Sequence, residues 1–185
     1  MDSTVVIELR EQRLPRVSIG WSERSWLVCD VSDTPPHADQ IIAFLSGEGR
    51  DPAGRSHAAI LAFDDERLEN THDYIQWLFP LTTPSAAVPG SPVLTAATVA
   101  GARTNARVQH RLRLAARRML AFLGRTDGWL SPFDHNQLRI TRIIKSLRLL
   151  SGDQDANAFR GQVIAMVAAR GVQLDPHTLE FWAAA

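Results

Sequence analysis

The sequence predicts an all-α protein: a single-domain bundle of about six to seven helices, preceded by a small β-like N-terminal arm. Three observations carry that prediction. Beyond the first 36 residues, apolar side chains recur at alternating spacings of three and four, the period of a core-facing helix. Clusters of glycine and proline separate these periodic stretches. A chain of 185 residues, 45% hydrophobic and 22% charged, is long enough for one core and too short for two comfortable ones.

Residues 1–36 read as the arm. Val5, Ile7 and Leu9 alternate with Val6, Glu8 and Arg10; Val17, Ile19 and Trp21 alternate with Ser18 and Gly20; and 26–31 is a third β-like run. Pro36 suits a first helical position, where its missing N–H would have no partner, so the helical domain is set at 37–185. In the first helix, 38–45, Ile41, Ile42 and Leu45 share one side, and Gly47, Gly49, Pro52 and Gly54 then impose a loop. A short helix follows at 56–63. Asp64 is placed as an N-cap, with Asp65 and Glu66 in the first turn, where exposed amides favour negative charge.

The helix so capped is expected over 65–79, with Leu68, His72, Ile75 and Phe79 on one side and Pro80 as its stop. Pro84, Pro89, Gly90 and Pro92 make 81–92 a loop. A long helix at 104–123 carries Val108, Leu112, Ala115, Met119 and Phe122 on its packing face. Another at 136–150 buries Ile140, Ile143, Ile144, Leu147 and Leu150 and ends at Gly152. The next, 156–170, starts from Asp153 or Asp155 and stops at Gly171; Asp175 and Pro176 open a last short helix through Phe181 and Trp182.

Composition narrows the chemistry. Cys29 is the only cysteine, which excludes an intrachain disulfide and a cysteine-based metal site and fits a reducing compartment. The first residues lack a basic and apolar leader, and the longest apolar run, 163–169, falls far short of the roughly 20 residues of a membrane span, so a cytoplasmic location is expected. Between Asp30 and Asp73 ten acids face three arginines, whereas between Arg103 and Arg148 eleven cations face two acids. Two such halves are expected to complement each other, or a neighbouring copy in a homo-oligomer. Lys145 is the single lysine.

No motif identifies a reaction. Gly47-Glu48-Gly49 follows no strand and precedes no Gly-Lys-Ser/Thr, so it is no phosphate loop; the six histidines show no metal-ligand spacing; no Gly-x-Ser-x-Gly elbow occurs. No catalytic residue, metal or cofactor is expected. His72 beside Asp73 has the chemistry of a general base, but a half-buried ring donating to a backbone carbonyl is the favoured reading. Asp73, Tyr74, Gln76, Trp77 and Phe79 form either a core seam or one wall of a ligand groove, with the interior favoured for Trp77 and Phe79. Arg139, Arg142 and Lys145, three apart, make a cationic strip beside Asn136 that pairs internally or grips a carboxylate or phosphate. These nine residues are the candidate ligand-binding set.

The stretches ENTHDYIQWLFPL (69–81) and HNQLRITRIIKSL (135–147) resemble the two most recognisable blocks of the opioid growth factor receptor conserved region, in the family's order, with Leu94-Thr95 and a long helix between them. The resemblance is read over about 41–182, with Gln137 and Ile144 as conservative departures. It implies a mostly helical domain; animal members are described as receptors for the pentapeptide Met-enkephalin that act in growth control around the nucleus. The strong bias to arginine over lysine resembles GC-rich bacterial coding, and the expectation is a bacterial member without the C-terminal repeat tail. The resemblance transfers no catalytic residues.

Three functions follow as expectations. The first is a non-catalytic module binding a short peptide or small acidic ligand where the 74–79 wall meets the 139–145 strip. The second is nucleic-acid or acidic-partner binding through the basic 103–148 half, the former disfavoured by the neighbouring acids and the lack of a recognised helix-turn-helix. The third is an enzyme using His72, Asp73 or His135.

Overall fold

The computed structural model describes residues 38–185. The expected β-like arm, the boundary at Pro36 and Cys29 lie outside the described residues. Among the described residues the chain forms nine α-helices and no strand: α1 (Ala38–Ser46), α2 (His57–Leu61), α3 (Asp65–Asn70), α4 (Ile75–Leu78), α5 (Ala96–Thr104), α6 (Ala106–Arg125), α7 (His135–Leu150), α8 (Asp153–Ala169) and α9 (Pro176–Ala184). None is long and apolar enough to cross a membrane. The all-α class is as predicted.

Local chemistry accounts for most helix starts. Ser56 accepts a hydrogen bond from the Ala59 amide at 3.1 Å, Asp64 from Arg67 at 2.7 Å, Asp134 from Asn136 at 2.7 Å and Asp175 from His177 at 2.8 Å. After α1, Gly47 adopts φ +86°, and a Cβ there would lie 2.2 Å from the Arg111 guanidinium carbon. The positive φ favours glycine at that point, and Arg111 Nε reaches past it to the Ser46 carbonyl at 2.9 Å, tying the end of α1 to α6.

The helix count exceeds the predicted one for two reasons. The expected 104–123 helix starts later, because Asn105 is extended (ψ 106°) and caps α6 by accepting from the amides of Arg107 and Val108. Ahead of it α5, capped by a Thr95–Thr98 box, buries only Ala102, so its apolar stripe is too weak to read. The expected 65–79 helix is split into α3 and α4, because Thr71 turns extended (ψ 128°). The carbonyl of Thr71 is taken up 68 residues further on, by Arg139.

Arg139 is 5% exposed, and its guanidinium collects the chain end of α3. Nη1 donates to the Leu68 carbonyl and to Asn136 Oδ1, both at 2.9 Å. Nη2 donates to the Thr71 carbonyl at 2.8 Å and the Glu69 carbonyl at 3.3 Å, and lies 2.8 Å from His72 Nδ1. A helix leaves its last carbonyls without intrahelical partners, and a planar five-donor cation fits that terminus in both geometry and charge. The same face of α7 continues the pattern: Arg142 Nη1 donates to the Phe79 carbonyl at 3.2 Å and Ser146 Oγ to the Pro80 carbonyl at 2.9 Å. The spacing of 139, 142 and 146 is one helical face, so α7 binds the segment from α3 to Pro80 carbonyl by carbonyl.

α7 also packs on α5, α6, α8 and α9. Phe44, Phe79, Phe122, Phe159, Trp129 and Trp182 fill the interior, with Tyr74 among them. Gln137 joins three parts of the core: Nε2 donates to the Trp129 and Ser131 carbonyls at 3.1 and 2.9 Å, and its own carbonyl accepts from Trp182 Nε1 at 3.2 Å. The oppositely charged halves meet within this chain. Arg107 pairs with Glu48, and Arg118 and Arg125 pair with Asp65 at 2.8 and 2.7 Å. The hydrogen bond from Arg125, joined by that from Arg118, holds the Asp65 carboxyl down at about 2.

One buried group has no such support. His57 is fully buried against the Phe44 ring, and among the described residues neither ring nitrogen has a hydrogen-bond partner. Burial, with the Arg111 charge adding to it, pushes its pKa down from 6.5 to about 4.

Two predictions follow from these contacts. Replacing Arg139 by Met leaves buried carbonyls without donors and should lower stability by about 3 kcal/mol or more in urea unfolding, while Arg139→Lys, which keeps the charge but not the fork, recovers less than half of the loss. For His57, the unfolded chain takes up a proton that the fold refuses. Its contribution is therefore complete above about pH 6.5 and falls by about 3 kcal/mol as pH drops toward 4. Urea midpoints measured from pH 7.5 to 4.5 should show this slope, and His57→Phe should flatten it.

Candidate ligand groove beside α7

Because α7 presents one face to α3, α4 and Pro80, its adjoining face is left to border a groove of about 510 Å³. His135, Leu138, Arg139, Thr141, Arg142 and Lys145 form the α7 side, His72, Ile75 and Gln76 the opposite side, and Leu81, Ser85, Ala87 and Val88 the covering loop. The loop is held at its base, where the Leu94 amide donates to the Leu81 carbonyl at 2.9 Å. From His135 to Lys145 the helix rises about 15 Å, the length of four to five extended residues.

Four of the nine candidate residues line this groove: Gln76, Arg139, Arg142 and Lys145. They are not equivalent. Arg139 is committed to the α3 carbonyls. Arg142 is half-buried, with one donor on the Phe79 carbonyl, and burial lowers its pKa from the usual guanidinium value. Lys145 is exposed and has no ion-pair or hydrogen-bond partner among the described residues. Gln76 is 4% exposed; its Nε2 donates to Ser85 Oγ at 3.5 Å, and its Oε1 has no partner.

The other five lie elsewhere. Asn136 is buried behind the groove, with Nδ2 on the Glu69 carboxylate at 3.0 Å and Oδ1 on Arg139. Tyr74 and Phe79 are interior, the Tyr74 hydroxyl donating to the Leu68 carbonyl at 3.2 Å, and burial pushes its pKa up to about 12. Trp77 packs edge-on against Phe44 at 5.3 Å. Asp73 is exposed and pairs with Arg55 at 2.8 Å. Asp73 and the edge of Trp77 border a smaller cleft of about 260 Å³ with Arg55 and Pro89. The aromatic wall of the sequence reading therefore faces the core, and Ile75 and Gln76 take its place in the groove. Trp77 and Arg142 line different clefts, separated by the loop at Val88, a residue common to both.

His72 also departs from expectation. With α3 ending at Asn70 the residue leaves the helix face and is exposed, and its ring does not donate to a carbonyl. Nδ1 instead accepts from Arg139, so the neutral ring carries its proton on Nε2. His135 stacks edge-on against it at 5.2 Å. Glu69, Asp134 and His135 each bring one possible ligand atom within 4.8 Å of the others, a grouping across two distant segments that no sequence spacing announces. The two carboxylates address opposite ring nitrogens, Glu69 near Nε2 at 3.5 Å and Asp134 near Nδ1 at 3.8 Å, rather than sharing one lone pair with a common centre.

The sequence reading missed Ile75, Leu81, Ala87, Val88 and Leu138 as groove residues. One signal was available: Leu138 lies off the buried stripe of α7 and is 75% exposed. A second depression of about 520 Å³ lies between the end of α1 and α6, but its Arg107 and Arg111 are already engaged with Glu48 and the Ser46 carbonyl.

Comparison with known proteins finds one family similar to part of the chain. The model described as the Opioid growth factor receptor (OGFr) conserved region matches residues 58–127, a span that holds α3 to α6 and stops short of α7, and is narrower than the 41–182 read from the two sequence blocks. Similar proteins include the opioid growth factor receptor of Homo sapiens, 38% identical over 98 residues covering 43% of this chain and 14% of the relative. The Mus musculus receptor is 39% identical over 98 residues, covering 43% and 15%. The opioid growth factor receptor-like protein 1 of Mus musculus is 31% identical over 121 residues, covering 56% and 25%. The chain thus spans a quarter or less of these relatives' length. No solved structure matches. Over residues 58–127 the chain is similar to the opioid growth factor receptor conserved region.

Proposed function

We propose that the protein is a non-catalytic binding module of the opioid growth factor receptor type, whose groove between α4, the 81–92 loop and α7 takes a short extended peptide or small acidic ligand. The carrying observation is the mixture of groups along it. Ile75, Leu81, Val88 and Leu138 offer apolar surface, and Lys145 offers a cation without a partner among the described residues. The relatives' name, a receptor for a growth factor, supports a ligand-binding role for the related segment. Engagement of His72 Nδ1 with a guanidinium withdraws the histidine nitrogen best placed to act as a base, which favours binding over catalysis. The basic half is a weaker candidate for nucleic acid, since Arg103, Arg111, Arg118 and Arg125 hydrogen-bond to this chain's own carbonyls and carboxylates.

Calorimetric titration with acidic and neutral pentapeptide pools tests the reading. Binding is expected, and Leu138→Glu, an exposed change that puts negative charge in the groove, should weaken the acidic pool tenfold or more, about 1.4 kcal/mol. Absence of binding by every pool, together with a low-salt gel shift on DNA or RNA, would overturn it in favour of nucleic acid.

A further inference from the structure

Helix α7 opens with an apolar pair that the fold leaves bare. Asp134 is its N-cap, so Phe133 stands just before the cap and Leu138 is the fourth helical residue. Apolar residues at these two positions commonly pack on each other and fix the entry of the chain into the helix. Here Phe133 is 92% exposed and Leu138 75%, the two highest values for large apolar side chains among the described residues.

Phe133 also carries a backbone cost. Its φ is +62°, and among the described residues it is the one non-glycine residue with a positive φ. Asparagine fills that left-handed region with less strain than a bulky ring, and would also face water at lower cost. A ring that is costly in its backbone and bare in its packing is of use to a molecule outside the chain.

Both residues lie at one end of the groove. Leu138 lines it, and Phe133 is two residues from His135, which lines it too, a separation of at most about 7 Å along the chain. Arg142 and Lys145 line the other end. From Leu138 to Lys145 the helix rises about 10 Å, which an extended chain covers in about three residues and a free phosphate does not. The ends differ in charge as well: Glu69 and Asp134 flank His135 at the first, so an acidic group is favoured only at the second.

We infer, on the binding reading above, that the ligand is a peptide with two determinants: a bulky apolar side chain seated on Phe133 and Leu138 and, about three residues away, an acidic side chain on Lys145. The apolar anchor supplies burial, and the ion pair sets the register.

The test is calorimetry with the full chain and N-acetylated, C-amidated octapeptides of glycine and serine carrying one Phe and one Asp, one to five positions apart and in either order. Affinity should peak at a separation of about two to four, and replacing Phe by Ala or Asp by Asn in the best peptide should cost about tenfold or more. Phe133→Asn suits the left-handed turn and removes the ring, so its urea midpoint should be no lower than the parent's while the advantage of the Phe peptide over its Ala counterpart is lost. Lys145→Gln should keep that advantage and remove the advantage of Asp over Asn. Affinity independent of the separation, Phe peptides no better than Ala ones, or a Phe133→Asn protein that keeps the preference or loses stability overturns the inference while leaving the groove to a small acidic ligand. Sedimentation showing that the unliganded chain self-associates and that Phe133→Asn abolishes this overturns it in favour of a second copy. If neither these peptides nor the acidic and neutral pools bind, the groove itself fails.

Discussion

The fold depends on how one guanidinium answers the end of one short helix. α3 leaves its last carbonyls pointing into the interior, where an unpaired acceptor is costly, and Arg139 supplies donors to Leu68, Glu69 and Thr71 from a rigid plane. This contact sits where α3 ends and before α4 begins, and it ties the α3–α4 segment to α7. Arg142 and Ser146 repeat the arrangement at Phe79 and Pro80. A buried charge satisfied by several carbonyls in place of a carboxylate specifies orientation as well as proximity, because the fork has only one way to meet three oxygens.

This explains why two sequence blocks more than fifty residues apart are both so unusual in composition. The first supplies a run of carbonyls together with large aromatics that fill the core beneath them; the second supplies the side chains that receive those carbonyls. Asn136 adds a lateral tie to the Glu69 carboxylate, and Gln137 joins the opposite face to Trp129 and Trp182. Much of what looks like binding chemistry in the sequence is thus structural. The groove is made by what this interlock leaves over, chiefly Lys145, part of Arg142 and the apolar side chains of Ile75 and Leu138.

Charge follows the same division. The acidic and basic halves are joined by pairs that cross the fold, with Asp65 between Arg118 and Arg125 as the densest point. These pairs are partly exposed and contribute modestly. Their larger effect is to commit many of the guanidinium groups, so that Lys145, without a partner among the described residues, becomes the distinctive cation of its face.

The sequence by itself determined the all-α class, most helix starts, the breaks at Gly47 and Gly152, the core stripe of α7 and the complementarity of the two charged halves, because each follows from local capping chemistry or from a period legible within one segment. Tertiary structure decided where the aromatic block points and which cations are free. Tyr74, Trp77 and Phe79 share a segment with Gln76, and on a single 65–79 helix these four would point all round its circumference, so periodicity alone does not say which faces the core. In the fold the chain breaks at Thr71, the rings face the core, Gln76 borders the groove, and the residue that takes the Thr71 carbonyl lies in another helix. Arg139 and Lys145 are likewise alike as charges in the sequence and opposite in role in the fold, since a hydrogen bond to a distant carbonyl leaves no mark on the residues near its donor.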